Sequence, residues 1–171
     1  LSGVPFVAPR GCRRRRSALS QSDTGRTIDP QALAEASAAA MFTEDKASQG
    51  LGMVVDSVGP GAASLRMTVR ADMVNGHGTC HGGFIFALAD SCFAFACNSH
   101  NRVTVAQSAS IDFLAPARLG DELTASGTEM ALGGRTGVYD VVVSRQDGHR
   151  IALFRGNSYR VQGSLVTETE L

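Results

Sequence analysis

Positions 82–99 read GGFIFALADSCFAFACNS, an almost wholly apolar run with one carboxylate, Asp90, near its middle. The length suits a helix of about five turns. A helix that is apolar nearly all the way round must be covered on several sides. The run also falls short of the ~18 uninterrupted apolar residues that crossing a bilayer takes. It therefore predicts a buried central helix, not a membrane span.

The rest of the chain has to supply the cover. Positions 25–45 predict a first helix, with Asp29 as N-cap, Pro30 at the first helical position and strong helix formers in ALAEASAAAMF. LGMVVDSV reads as a short strand and Gly59-Pro60-Gly61 as a turn. AASLRMTVR then alternates, with Ala63, Leu65, Met67 and Val69 on one face. Positions 71–81 are too rich in Gly and polar residues for regular structure. Strand-like runs follow the long helix at 103–114, 121–131, 137–146 and 149–161. Gly133-Gly134 and Asp147-Gly148 separate the last three. The fold class is α+β: one antiparallel sheet wrapped around one long helix. The domain spans 27–163, after an N-terminal extension over 1–26 and before a polar tail over 164–171, with fraying expected from Gln162.

Apolar content of 43% and charged content of 19% suit one globular domain of 171 residues. Five of the 16 basic residues lie within the first 22, leaving 11 against 16 acidic ones. An acidic body argues against a nucleic-acid-binding domain. The arginine-rich head, Arg10 and Arg13 to Arg16, reads as a disordered extension rather than a targeting peptide or binding arm. Cys12, Cys80, Cys92 and Cys97 form neither a CxxC pair nor a disulfide framework, which points to the cytoplasm.

An acid inside an apolar helix is either paired across a subunit contact or poised as a general base or nucleophile. Gly82-Gly83 stands where the helix begins, so unpaired N–H groups there could receive a carbonyl oxygen that becomes negative. Gly82 and Asp90 are eight positions apart, about 12 Å along a helix. One copy cannot bring both to one carbonyl, but two helices packed antiparallel can, so cooperation between them implies a dimer with shared sites. Asn75 either orients water or the carboxylate, or caps its loop. His81 either holds the loop or polarises substrate. His77, Cys80 and His81 lack the second ligand pair of a zinc site, and no metal is expected.

The stretch NGHGTCHGG at 75–83, followed by Leu88-Ala89-Asp90, resembles the hotdog-fold acyl-CoA thioesterases, in particular the phenylacetic-acid-degradation subgroup. The resemblance continues through Ala96-Cys97-Asn98-Ser99, Ile111-Asp112-Phe113-Leu114, 136–140 and 152–156, and covers about 30–162. It implies a homotetramer built from hotdog dimers, with active sites between subunits. Asp90 would be general base or nucleophile, the Gly82 amide would polarise the thioester carbonyl, and His81 and Asn75 would support them. Phenylacetyl-CoA and ring-hydroxylated relatives would be substrates, with coenzyme A entering as part of the substrate and no further cofactor. Gly83 and Arg135 are candidates for contacting the CoA portion, and Phe84, Leu88 and Phe113 for the acyl pocket. Ala94 stands where a related branch has a water-orienting Thr or Ser. Two rival readings remain: a dehydratase or hydratase acting on acyl thioesters, and a non-catalytic acyl-CoA-binding protein.

Overall fold

The computed structural model describes residues 28–167; the arginine-rich head, Cys12 and the last four residues lie outside it. Helix α1 spans Pro30–Glu44, and Asp29 caps it by accepting the Gln31 N–H at 3.2 Å. A short helix α2, Lys46–Gly50, follows at once and was not expected. Asp45, read from sequence as the end of α1, starts α2 by accepting the Ser48 N–H at 2.9 Å.

Strands β1 (Val54–Gly59) and β2 (Ala62–Thr68) form the anticipated hairpin. Ala63, Leu65, Met67 and Val69 are all buried, as their alternation requires. The segment expected to be irregular is more ordered than its composition suggested: it holds a 3-10 turn, Ala71–Met73, and a bridge between Val74 and Cys80. The cause is burial of Met73 and capture of the Cys80 and His81 amides by the Ala117 and Met73 carbonyls.

Helix α3 spans Gly82–Asn98. Strands β3 (Thr104–Phe113), β4 (Glu122–Gly133), β5 (Thr136–Arg145) and β6 (Arg150–Arg160) follow. All pairings are antiparallel, in the order β1-β2-β4-β5-β6-β3. The expected wrapped-helix architecture is present, with α3 packed against every strand. Two glycines seat the helix. A Cβ on Gly156 would lie 2.9 Å from the Phe93 ring, and one on Gly127 would lie 3.1 Å from Cys92 Sγ. Phe93 also packs against Tyr139 and Phe154, with ring centroids 5.5 and 5.9 Å away.

Two surfaces stay open. β3 is an edge strand, and its residues are exposed or half-buried along its whole length. The stripe Gly83, Ala87, Asp90 and Ala94 of α3 is likewise exposed or half-buried. The run from Gln162, expected to fray, is tied down as far as Val166: Asn101 Oδ1 accepts the Leu165 and Val166 amides at 2.8 and 3.0 Å. No helix among the described residues is long and apolar enough to cross a membrane.

Because Gly156 is where the Phe93 ring meets the sheet, Gly156→Ala should destabilise the fold by about 1–3 kcal/mol, the usual range for overpacking. Urea unfolding is the measurement; an unchanged midpoint would mean that the contact does not seat the helix.

Candidate active site

The loop before α3 is built around Asn75. Its Oδ1 accepts the His77 N–H at 2.9 Å and, more weakly, the Thr79 N–H and hydroxyl, both at 3.3 Å. Its backbone N–H donates to Thr79 O at 2.8 Å, and its carbonyl accepts from Gly78. Asn75 thus closes the turn, while its Nδ2 donor has no partner among the described residues.

The loop delivers His81 to the N-cap of α3, where Nδ1 accepts the Gly83 N–H at 3.0 Å. That acceptor role requires an unprotonated Nδ1 and leaves Nε2 facing outward. It also occupies the Gly83 amide, so Gly83, a sequence candidate for contacting CoA, has no free backbone donor to offer. The Phe84 N–H donates to His81 O. Of the first three amides of α3, only that of Gly82 has no partner among the described residues. An unpaired N–H at the positive end of a helix is a donor for developing negative charge.

Phe113, at the far end of β3, lies across Gly82: a Cβ there would be 2.9 Å from the ring. Only glycine lets the ring and the amide share that space. The Gly82 amide opens beside a groove of about 500 Å³ lined by Thr79, Gly82, Ile85, Phe113, Leu114 and Pro116. Thr79, Leu114 and Pro116 were not singled out from sequence. For Leu114 and Pro116 the one signal was the apolar run FLAPA continuing past the end of a strand, which leaves Leu114 52% exposed; Thr79 carried none.

Asp90 departs from the fully interior acid that its apolar neighbours suggested. It is half-buried, because it lies on the stripe of α3 that the sheet leaves bare. Its carboxylate makes no hydrogen bond among the described residues, and partial burial raises it above the usual range. Its neighbour Ser91 is covered by α2 through a 2.9 Å hydroxyl contact with Ser48. Cys92 and Cys97 are buried, and desolvation pushes both thiols up to about 12, which makes them inert packing groups.

Within one chain the expected site residues divide into three places. Asn75, His81, Gly82 and Gly83 gather at the start of α3. Asp90 stands about 12 Å further along the same helix. Arg135 is exposed at the β4–β5 turn, beside Cys97 and His100 beyond the other end of α3. Of the acyl-pocket candidates, Leu88 is wholly buried core. Phe84 stands edge-on to His81 at 6.3 Å, and Phe113 is 53% exposed beside the groove. No group of three or more His, Cys, Asp or Glu among the described residues could hold a metal ion.

Residues 77–152 match the Thioesterase superfamily. The chain is 45% identical over 129 residues to the acyl-coenzyme A thioesterase PaaI of Escherichia coli K12, covering 75% of this chain and 92% of that protein. The solved structure of the E. coli PaaI protein from the phenylacetic acid degradation operon superposes with a TM-score of 0.78 at 43% identity, over 80% of this chain and 99% of that one. A Streptococcus mutans UA159 protein crystallised with acetyl CoA gives a TM-score of 0.63 at 27% identity, over 66% of this chain and 90% of its own.

The raised carboxyl of Asp90 gives stability a pH dependence. The unfolded chain releases this proton at a lower pH than the folded one, so ionisation costs stability as pH rises. In the unpaired chain Asp90→Asn should therefore be more stable than the parent at pH 7, with the gap closing below about pH 3.9, where the carboxyl is protonated in both states. Paired denaturation curves across that range check this; a gap independent of pH would exclude the desolvated carboxylate as its source.

Proposed function

The chain belongs to the Thioesterase superfamily, and from that premise we propose that it hydrolyses phenylacetyl-CoA and ring-hydroxylated relatives to the free acid and coenzyme A. Similarity to an acyl-CoA thioesterase over most of both chains supports the reaction. Similarity to a protein of a phenylacetic acid degradation operon supports the aryl acyl group. One structural observation carries the mechanism: the single open amide of the first turn of α3 and the unpartnered carboxylate of Asp90 share one helix but cannot reach one carbonyl within one chain.

The working unit is a pair of chains with their α3 helices antiparallel, so that Gly82 of each chain faces Asp90 of the other. The bare stripe of α3 and the open β3 edge support this pairing, because a long unpaired edge is a template for another strand. Pairing β3 with a second β3 would extend the sheet across both chains. A homotetramer formed from two such pairs, in the cytoplasm, completes the reading, and the three free cysteines among the described residues suit a reducing compartment.

In each shared site the thioester carbonyl accepts the Gly82 N–H. Asp90 takes a proton from a water molecule as its oxygen attacks the carbonyl carbon. Negative charge collects on the carbonyl oxygen, where the amide and the helix dipole oppose it. Collapse of the tetrahedral species breaks the carbon–sulfur bond, and the thiolate of CoA leaves to be protonated. Water is the only co-reactant required.

Asp90→Asn should lower kcat on phenylacetyl-CoA by about 10²–10⁴-fold, the usual worth of a positioned general base, with the oligomer retained. Thiol release and light scattering measure both, and near-parental turnover would remove Asp90 from the mechanism. Gly82→Pro deletes the open N–H at a helix position that tolerates proline, although Phe113 must shift to make room. Mixing it with Asp90→Asn should restore activity in heterodimers, since one of the two sites is then intact. No recovery in verified heterodimers of folded chains would rule out sharing.

A further inference from the structure

The turn that leads into α3 is closed by two residues acting on each other. The Asn75 N–H donates to the Thr79 carbonyl at 2.8 Å, and the Gly78 N–H donates to the Asn75 carbonyl at 3.0 Å. Val74 and Cys80 bridge on either side, so residues 75–79 form a short closed loop. Inside it Asn75 Oδ1 meets three donors: the His77 N–H at 2.9 Å, and the Thr79 N–H and hydroxyl, each at 3.3 Å. Two of these are backbone N–H groups, which only an acceptor can meet. The oxygen of the Asn75 amide, not its nitrogen, must therefore lie inside the turn.

With the oxygen so engaged, Nδ2 is held on the side of the amide away from the turn, and it has no partner among the described residues. Asn75 is half-buried. A sheltered donor fixed in place without a partner suits an acceptor that arrives from outside the chain. Thr79 is where this turn meets the site. It lines the groove beside Gly82 and brings the one hydroxyl among the residues that line it. That hydroxyl makes no other hydrogen bond among the described residues. Its β-branched side chain has a stiff χ1, so the hydroxyl braces the amide in one position. A donor at Oδ1 also polarises the amide, which strengthens its N–H groups as donors.

We propose that Thr79 is a positioning residue for thioester hydrolysis: its hydroxyl sets the Asn75 amide so that Nδ2 stands ready as a second donor toward the oxygens of the reacting centre, alongside the Gly82 N–H. The proposal rests on the thioesterase reading and deepens it by naming the group that holds Asn75. Thr79 itself touches no reacting atom. Its contribution is the difference between an amide already aimed and one that must be ordered in every turnover. Donors fixed in advance act where charge develops, so the effect belongs to the chemical step and not to substrate capture.

Thr79→Val keeps the shape and the backbone bonds of the turn and removes only the hydroxyl. It should lower kcat on phenylacetyl-CoA by about threefold to tenfold, the usual worth of one hydrogen bond, with KM little changed. Thr79→Ser keeps the hydroxyl and should hold kcat near that of the parent. A loosened loop would disturb His81 and Gly82 as well, so a double-mutant cycle separates the two causes. Asn75→Asp retains the acceptor inside the turn and removes the Nδ2 donor. In that background Thr79→Val should cost little more, because no donor is left to aim. An equal loss in both backgrounds, no loss from Thr79→Val, or the same loss from Thr79→Ser would each overturn the proposal. Thermal melts show which variants fold, and Thr79→Ala takes the place of Thr79→Val if the latter does not. Should the parent hydrolyse no thioester, the thioesterase reading fails separately. Hydrogen exchange of the Asn75 side-chain NH₂, followed by NMR, then decides the positioning: faster exchange in Thr79→Val than in the parent supports it, and equal exchange overturns it.

Discussion

The close seat of α3 on the sheet governs the rest of the molecule. Phe93 descends onto Gly156 and Cys92 onto Gly127, with Cys92 Sγ 3.3 and 3.4 Å from the Ala63 and Ala125 carbonyls. Side chains at those two glycines would lift the helix away from the strands. Because the helix cannot rise or roll, its uncovered stripe is fixed, and with it the outward aim of Asp90. The same rigidity fixes where α3 begins, and so where the Gly82 amide points. Chemistry at both places depends on packing at residues that touch no substrate in the proposed mechanism.

Helix and strand runs were legible because burial imposes periodicity. Ala63, Leu65, Met67 and Val69 had to share a face, and a helix as apolar as α3 had to be surrounded. Turn chemistry at Asp147-Gly148 and the capping pair Asp29-Pro30 were equally readable. Short-range competition was not: Asp45 could end one helix or start another, and only the folded chain shows that it does both. Composition likewise misjudged the loop before α3, since the bonds that order it run to Met73 and Ala117 and depend on tertiary burial.

At the site, residue types were easier to name than their accessibility. Asn75, His81, Gly82 and Asp90 stood out by chemistry and spacing. Sequence could not reveal that His81 occupies the Gly83 amide and leaves Gly82 alone as the open donor, because that choice is made by one side-chain rotamer at the N-cap. Nor could it reveal that Asp90 lies on the bare side of an otherwise enclosed helix.

The proposed pairing also adjusts the chemistry of the groups it joins. In one chain Asp90 is a carboxyl that burial makes reluctant to ionise, and the Gly82 amide is a donor with no acceptor. Set against a second copy, each carboxyl lies near the positive end of the opposing helix, which favours its anion. The cost of partial burial is offset where the base must be charged to accept a proton, so assembly prepares the site as well as completing it. A lone chain would retain every residue of the mechanism and still lack a reaction centre, because the distance along its own helix cannot be shortened without unwinding it.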